Sequence, residues 1–269
     1  MPTHPLLERL RQLAQRGPIV VAHRGDSRNH PENTLAAFHA AMLAGVRMQE
    51  FDVRQTRDGV LVCLHDDGLD RTTDASVRLG PGAAVAQVDL EVLQQLDAGR
   101  WRGPEHAGAR VPTLREALAA MLPACVPMVE RKAGTPDACI TDLAAAGAAD
   151  AAILQAFDWA FLAAVHEQAP QMALAALGPT TAFPSLSDEA IAAAAACGAG
   201  MLHWQASALR CGDVQRVHRA GLLLCTYTTD DPIGWAGHAA LGIDAFCTND
   251  PAGALAALGA HQAAGPSDQ

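Results

Sequence analysis

The sequence predicts an α/β protein, a (β/α)8 TIM barrel with a small inserted subdomain after its second strand. Three observations carry this. Short, continuously apolar runs of strand type alternate with longer stretches rich in alanine and leucine, the pattern of a parallel sheet covered by helices. An Asp58-Gly59 pair between two of these runs signals a tight hairpin rather than a crossover. A chain of 269 residues, 50% of them of hydrophobic type, is long enough for one barrel with a filled interior.

The N-terminus opens with Leu6, Leu7, Leu10 and Leu13 interspersed with Glu8, Arg9, Arg11 and Arg16. These charges make a short amphipathic helix and break any apolar core of a signal peptide. Strands are then expected at 18–23, 46–53, 60–64, 126–131, 151–155, 171–176, 200–204, 222–227 and 243–248. That is nine candidates for an eight-stranded barrel. A short hairpin returns antiparallel, so 60–64 is an arm rising above the barrel and the other eight close it. Periodicity alone also allows an open doubly wound sheet. Residues 66–112 form one long irregular insertion rich in glycine and proline, of the kind that often serves as a lid. It ends where Thr113 and Glu116 make a capping box for the next helix. The uncharged segment 190–209 has the length of a membrane span, but Gly198, Gly200, His203 and Gln205 mark a helix running into a buried strand. The whole chain, 1–269, is expected to form a single domain, with a frayed tail at 263–269.

Lys and Arg total 19 against 29 Asp and Glu, a net charge of −10. No basic footprint for nucleic acid or an anionic membrane is present. Seven scattered cysteines, odd in number and with no CxxC pair, indicate a reducing, cytoplasmic setting. Walker-type glycine loops, GxSxG elbows and HExxH helices do not occur.

Glu50 and Asp52 lie two apart on one strand and therefore share a face. At the C-terminal end of a barrel strand that face is the active-site mouth. Two adjacent inward carboxylates repel, and a divalent cation relieves the repulsion. A surface strand with solvated charges is the plain alternative, opposed by apolar Val46, Phe51 and Val53. Glu130 and Lys132 repeat the spacing on a later strand, adding a third carboxylate and a positive charge for a phosphate oxygen. A solvated Glu–Lys pair is the alternative there. Three carboxylates suit a hard ion such as Mg2+ or Ca2+ rather than zinc. His23 closes the first strand and His65 closes the arm. Cleaving a phosphodiester needs a base and an acid, and imidazole does either near neutral pH. Arg24 offers a bidentate contact to phosphate. His203 ends a strand and is a candidate for the mouth. Trp101, Trp204 and Tyr227 are candidates for an apolar substrate wall or ordinary anchors. His4, His39, His166, His218, His238 and His261 fall in terminal or helical stretches as surface or packing residues.

The runs HRG at 23–25, PENT at 31–34, EFD at 50–52, DG at 58–59 and HDDGLDRTT at 65–73 resemble, in order and spacing, the glycerophosphodiester phosphodiesterase family. DAGRW at 97–101, VPTLREAL at 111–118, VERK at 129–132, YTTDDP at 227–232 and GIDAFCTNDP at 242–251 extend the resemblance over nearly the whole chain. It looks most similar to the short cytosolic bacterial members. The resemblance implies a TIM barrel that hydrolyses water-soluble deacylated phospholipids to sn-glycerol 3-phosphate and an alcohol. It implies His23 and His65 as the acid–base pair, Glu50, Asp52 and Glu130 as ligands of one Mg2+ or Ca2+ ion, and Arg24 and Lys132 as phosphate contacts. His203 and Tyr227 are added as substrate-side residues. The chain departs from the family pattern at Asp26–His30, which is unusually charged, at Arg131, which replaces an apolar residue, and at Tyr227, which replaces a common Trp. A lysophospholipid- or sphingomyelin-cleaving barrel and a non-catalytic glycerophosphate-binding barrel are the competing readings. No hydrophobic anchor favours the first, and the intact set of site residues opposes the second.

Overall fold

A computed structural model describes residues 4–259 of the protein; the tail at 263–269 and His261 lie outside the described residues. Among the described residues nine strands form one sheet: β1 (Ile19–His23), β2 (Met48–Gln55), β3 (Leu61–Cys63), β4 (Val126–Arg131), β5 (Ile153–Ala156), β6 (Ala173–Gly178), β7 (Met201–Gln205), β8 (Leu223–Tyr227) and β9 (Ala245–Thr248). β1 pairs in parallel with both β2 and β9, which closes eight strands into a barrel and removes the open-sheet alternative. β3 pairs antiparallel with the end of β2 and bridges Thr113 through Val62, so it is the arm expected from Asp58-Gly59. β2 ends two residues later than expected because Arg54 and Gln55, beyond the barrel rim, still have Val62 and Leu61 to pair with.

The helices are α1 (Pro5–Ala14), α2 (Leu35–Leu43), α3 (Ala75–Arg78), α4 (Leu90–Leu93), α5 (Leu114–Met121), α6 (Pro136–Ala145), α7 (Trp159–Gln168), α8 (Asp188–Ala196), α9 (Asp213–Arg219), α10 (Pro232–Leu241) and α11 (Pro251–Leu258). Alternation along each strand sends one set of side chains inward and the other outward. Phe51, Val53, Val129, Leu154, Leu174, Leu202, Trp204 and Leu224 belong to a layer shared with helices α5 to α9. Val21, Met48, Met128, Ile153, Met201, Leu223, Cys225 and Cys247 fill the barrel. Leu6, Leu7 and Leu10 of α1 join that inner cluster. His4 and Arg11 bond the carbonyls of Gln171 and Gly221, just ahead of β6 and β8, so α1 seals the N-terminal end.

The segment after β3 is less irregular than its glycines and prolines indicated. It carries α3, α4 and two short 3-10 turns around its own apolar cluster, in which Leu69, Val85, Leu93 and Leu96 pack with Val62 and Leu64 of the arm. The capping box is present: Thr113 Oγ1 accepts from the Glu116 N–H while Glu116 Oε2 accepts from the Thr113 N–H. Trp204 is fully buried in the outer layer, so it is a core anchor and no part of a substrate wall. Trp101 donates from its indole to the Ala98 carbonyl, a loop anchor. Arg131 finds its partner at the strand end, 3.3 Å from Asp158 and over the ring of Phe161. Among the described residues no helix is long and apolar enough to cross a membrane.

Candidate active site

Strand register assembles the site. His23 lies beside Glu50, Asp52 beside Glu130, and Glu130 beside Gln155 across β1, β2, β4 and β5. His23, Glu130 and Gln155 sit near the C-terminal ends of their strands, and Glu50 and Asp52 lie level with them in the longer β2, which runs on to pair with the arm. Glu50, Asp52 and Glu130 are buried, and each offers a carboxylate oxygen within 4.8 Å of the others. These are the three residues the sequence singled out.

Their environments differ. Burial foremost, and then the negative charges of Asp52 and Glu130, push Glu50 well above the usual carboxylate range. Burial and Asp52 raise Glu130, with Lys132 opposing. Burial alone would raise Asp52 too, but Arg24, Lys132, His65 and the amide of Asn33 hold it below its ordinary value. Arg24 Nε lies 3.1 Å from Asp52 Oδ2, and Asn33 donates to the same oxygen at 2.9 Å. Lys132 Nζ contacts Glu130 Oε1 closely and reaches Asp52 Oδ1 at 3.4 Å. Glu50 Oε2 is buried with no hydrogen-bond partner. An oxygen-only donor set with one orphaned carboxylate oxygen fits a hard divalent cation.

The two histidines are each fixed through Nδ1. His23 Nδ1 is 2.7 Å from Asn249 Oδ1, whose amide is oriented by its Nδ2 donating to Asp230 Oδ2 at 2.6 Å. Asn249 Oδ1 can only accept, so His23 Nδ1 carries the proton and Nε2 keeps its lone pair, 3.9 Å from Glu50 Oε2. Burial foremost, and then Arg24, push His23 down from 6.5 to about 4. His65 Nδ1 is 2.6 Å from Asp66 Oδ1. Asp66 is held well below the usual carboxylate range, chiefly by its hydrogen bond from Arg71. Arg71 also makes two bonds to Glu32, 2.8 and 2.9 Å, and Glu32 accepts from Arg24 at 2.7 Å. A continuous chain of contacts thus runs from His65 through Asp66, Arg71, Glu32 and Arg24 to Asp52, with charge alternating from Asp66 onward. Among the described residues, Arg24 and Asn33 are the two non-glycine residues with positive φ, 58° and 59°. Strained backbone of this kind persists where surrounding contacts over-determine it.

The two remaining candidates lie deep in the site. His203 is 2% exposed, as buried as Glu50 and Asp52. Its Nδ1 is 2.7 Å from Gln155 Oε1. Tyr227 is partly buried, and its hydroxyl donates to the Gly178 carbonyl at 2.8 Å. Its ring meets Phe157 edge-on at 6.3 Å, and Phe157 is itself 40% exposed with Lys132 Nζ 5.7 Å from its centroid. The charged run 26–30 is absorbed locally: Arg28 pairs with Asp250 at 3.2 Å, and His30 stacks edge-on against His106 of the insertion at 5.3 Å.

Sequence reasoning assigned no role to Glu32, Asn33, Asp66, Arg71, Asn249, Gln155 or Phe157. The first five lie inside the motif runs quoted above, so the runs themselves were the signal. Gln155 and Phe157 lie in no such run.

The family profile described as glycerophosphoryl diester phosphodiesterase matches residues 23–253. A glycerophosphodiester phosphodiesterase of Caldanaerobacter subterraneus is 50% identical over 98 residues, 36% of this chain and 38% of that protein. The matched region thus spans well under half the length of that relative. A glycerophosphodiester phosphodiesterase of Bacillus subtilis is 29% identical over 254 residues, 87% of this chain and 84% of its own. Among solved structures, an Oleispira antarctica phosphodiesterase in complex with the product sn-glycerol-3-phosphate superposes with a TM-score of 0.81 at 27% identity, covering 90% of this chain and 96% of that one. A glycerophosphodiester phosphodiesterase from Agrobacterium tumefaciens gives 0.76 at 26% identity, covering 87% and 97%. With the profile running from His23 to the last helix, and the barrel shared with these structures, the chain belongs to the glycerophosphoryl diester phosphodiesterase family.

Proposed function

We propose that the chain hydrolyses glycerophosphodiesters, the deacylated phospholipids, to sn-glycerol 3-phosphate and an alcohol, with His23 and His65 as the acid–base pair. The observation that supports it most is the grouping of two Nδ1-anchored imidazoles with three buried carboxylates at one end of the barrel. His23, neutral with a free Nε2, takes the proton from the attacking oxygen. His65, backed by the ionised Asp66, gives a proton from Nε2 to the leaving alkoxide. Glu50, Asp52 and Glu130 would hold one Mg2+ or Ca2+ ion, which when bound offsets the negative charge of the phosphoryl oxygens. Arg24 and Lys132 carry the positive charge that positions the phosphate, each already poised against Asp52. The exposed ring of Phe157, with Tyr227 behind it, walls the substrate side, and His203 supports Gln155 from within.

The chain is proposed to act as one barrel domain, with 66–112 as an inserted subdomain whose own core seats Asp66 and Arg71. Its seven free cysteines support a cytoplasmic setting. The substrate is a soluble small molecule, with neither nucleic acid nor membrane insertion involved.

Purified protein incubated with glycerophosphocholine and glycerophosphoethanolamine should release glycerol 3-phosphate, and intact lysophospholipid or sphingomyelin vesicles should not be cleaved. His23→Ala and His65→Ala should each lower turnover by about a hundredfold or more while the fold survives. An unchanged rate in either variant would remove that imidazole from the reaction.

A further inference from the structure

We propose that His203, Cys225 and Cys247 form a second cation site, for a thiophilic divalent ion of the zinc class. The three residues lie on adjacent strands β7, β8 and β9 and face the barrel interior, across from the carboxylates of β2 and β4. Their donor atoms lie within 4.8 Å of one another, and His203 Nε2 is 3.5 Å from Cys247 Sγ. Zinc bonds of roughly 2.0–2.1 Å to nitrogen and 2.3 Å to sulfur place such a tetrahedral pair about 3.6 Å apart.

The histidine is prepared for a ligand. Gln155 donates from Nε2 to Glu50 Oε1, which leaves its Oε1 to accept from His203 Nδ1. His203 is therefore protonated at Nδ1, and its Nε2 lone pair points at the thiols. A ligating histidine whose other nitrogen donates to an oxygen acceptor is the usual outer-shell arrangement of zinc sites. Without an ion, the same geometry is a thiol donating to imidazole.

Charge selects the ion. Binding takes one proton from each thiol and releases both to solvent. A divalent ion with two thiolates and a neutral imidazole is net neutral, so no charge is added to an apolar interior. A monovalent soft ion would leave a negative charge facing Glu50, Asp52 and Glu130. The sulfur and imidazole donors discriminate against Mg2+ and Ca2+, and the carboxylates opposite prefer them, so the two sites sort ions by hardness. Three protein donors leave a fourth position for water.

The test uses whole purified protein, reduced and stripped with chelator, then titrated with Co2+ or Cd2+ under saturating Mg2+. Expected is one equivalent of thiolate-to-metal charge-transfer absorption, tetrahedral ligand-field bands for Co2+, and about two protons released per ion. Cys225→Ala and Cys247→Ala should each weaken binding at least about tenfold, and the double variant should abolish the band. Cys211→Ala, at the one exposed cysteine, should leave it intact. Absence of the band in wild type, its persistence in the double variant, or its loss with Cys211→Ala overturns the proposal. If the double variant melts early, the single variants and the wild-type proton count decide.

Discussion

His23 and His65 are both anchored through Nδ1, but one anchor is a neutral amide and the other an ionised carboxylate. On the proposed function, that difference sorts the roles. Burial keeps His23 neutral down to about pH 4. Its folded value lies below the ordinary 6.5, so the unfolded chain binds the extra proton first. The stability this gives is complete above 6.5 and is lost as pH falls toward 4. The same sign applies to catalysis. The acid limb of kcat/KM should lie close to pH 4, and a pH series with melting controls checks it; a midpoint near 6.5 would contradict a buried neutral base. Asn249→Ala frees the ring to rotate and to change tautomer, and kcat should fall about tenfold or more with the fold retained.

At the scale of elements, the strands were legible because parallel barrel strands are continuous apolar runs, and the arm was legible because Asp58-Gly59 permits only a tight return. Glu50, Asp52 and Glu130 were legible from i, i+2 spacing at strand ends. Helices α3 and α4 were not, since four residues each give no helical period. The His23–Asn249 bond was not, since it joins residues 226 apart and exists only once β1 and β9 pair. The burial of His203 was missed because a strand end in sequence does not say how deep in the barrel it lies. Two substitutions measure local supports. Thr113→Ala removes the capping box of α5 and should cost about 1 kcal/mol in denaturant unfolding. Gly25→Ala should cost more, about 2 kcal/mol or above, because its φ is +79° and a Cβ there would lie 2.6 Å from the backbone of Ala37.

At the scale of the whole molecule, the barrel has a closed end and a working end. Helix α1 seals the first with Leu6, Leu7 and Leu10, and the charged cluster occupies the second. Leu10→Ala should therefore cost stability, about 2–5 kcal/mol, with little change in kcat. On the proposed function, a protein of net charge −10 that handles an anionic diester must concentrate positive charge at one place. Arg24, Lys132 and a cation held by Glu50, Asp52 and Glu130 would do so. The most direct measurement is glycerol 3-phosphate release from glycerophosphocholine before chelation, after exhaustive chelation, and after adding back Mg2+ or Ca2+. Activity should vanish on chelation and return with one of these ions in wild type, but not in Glu50→Gln. Full activity after verified metal removal would contradict the carboxylate-held cation at the centre of the site.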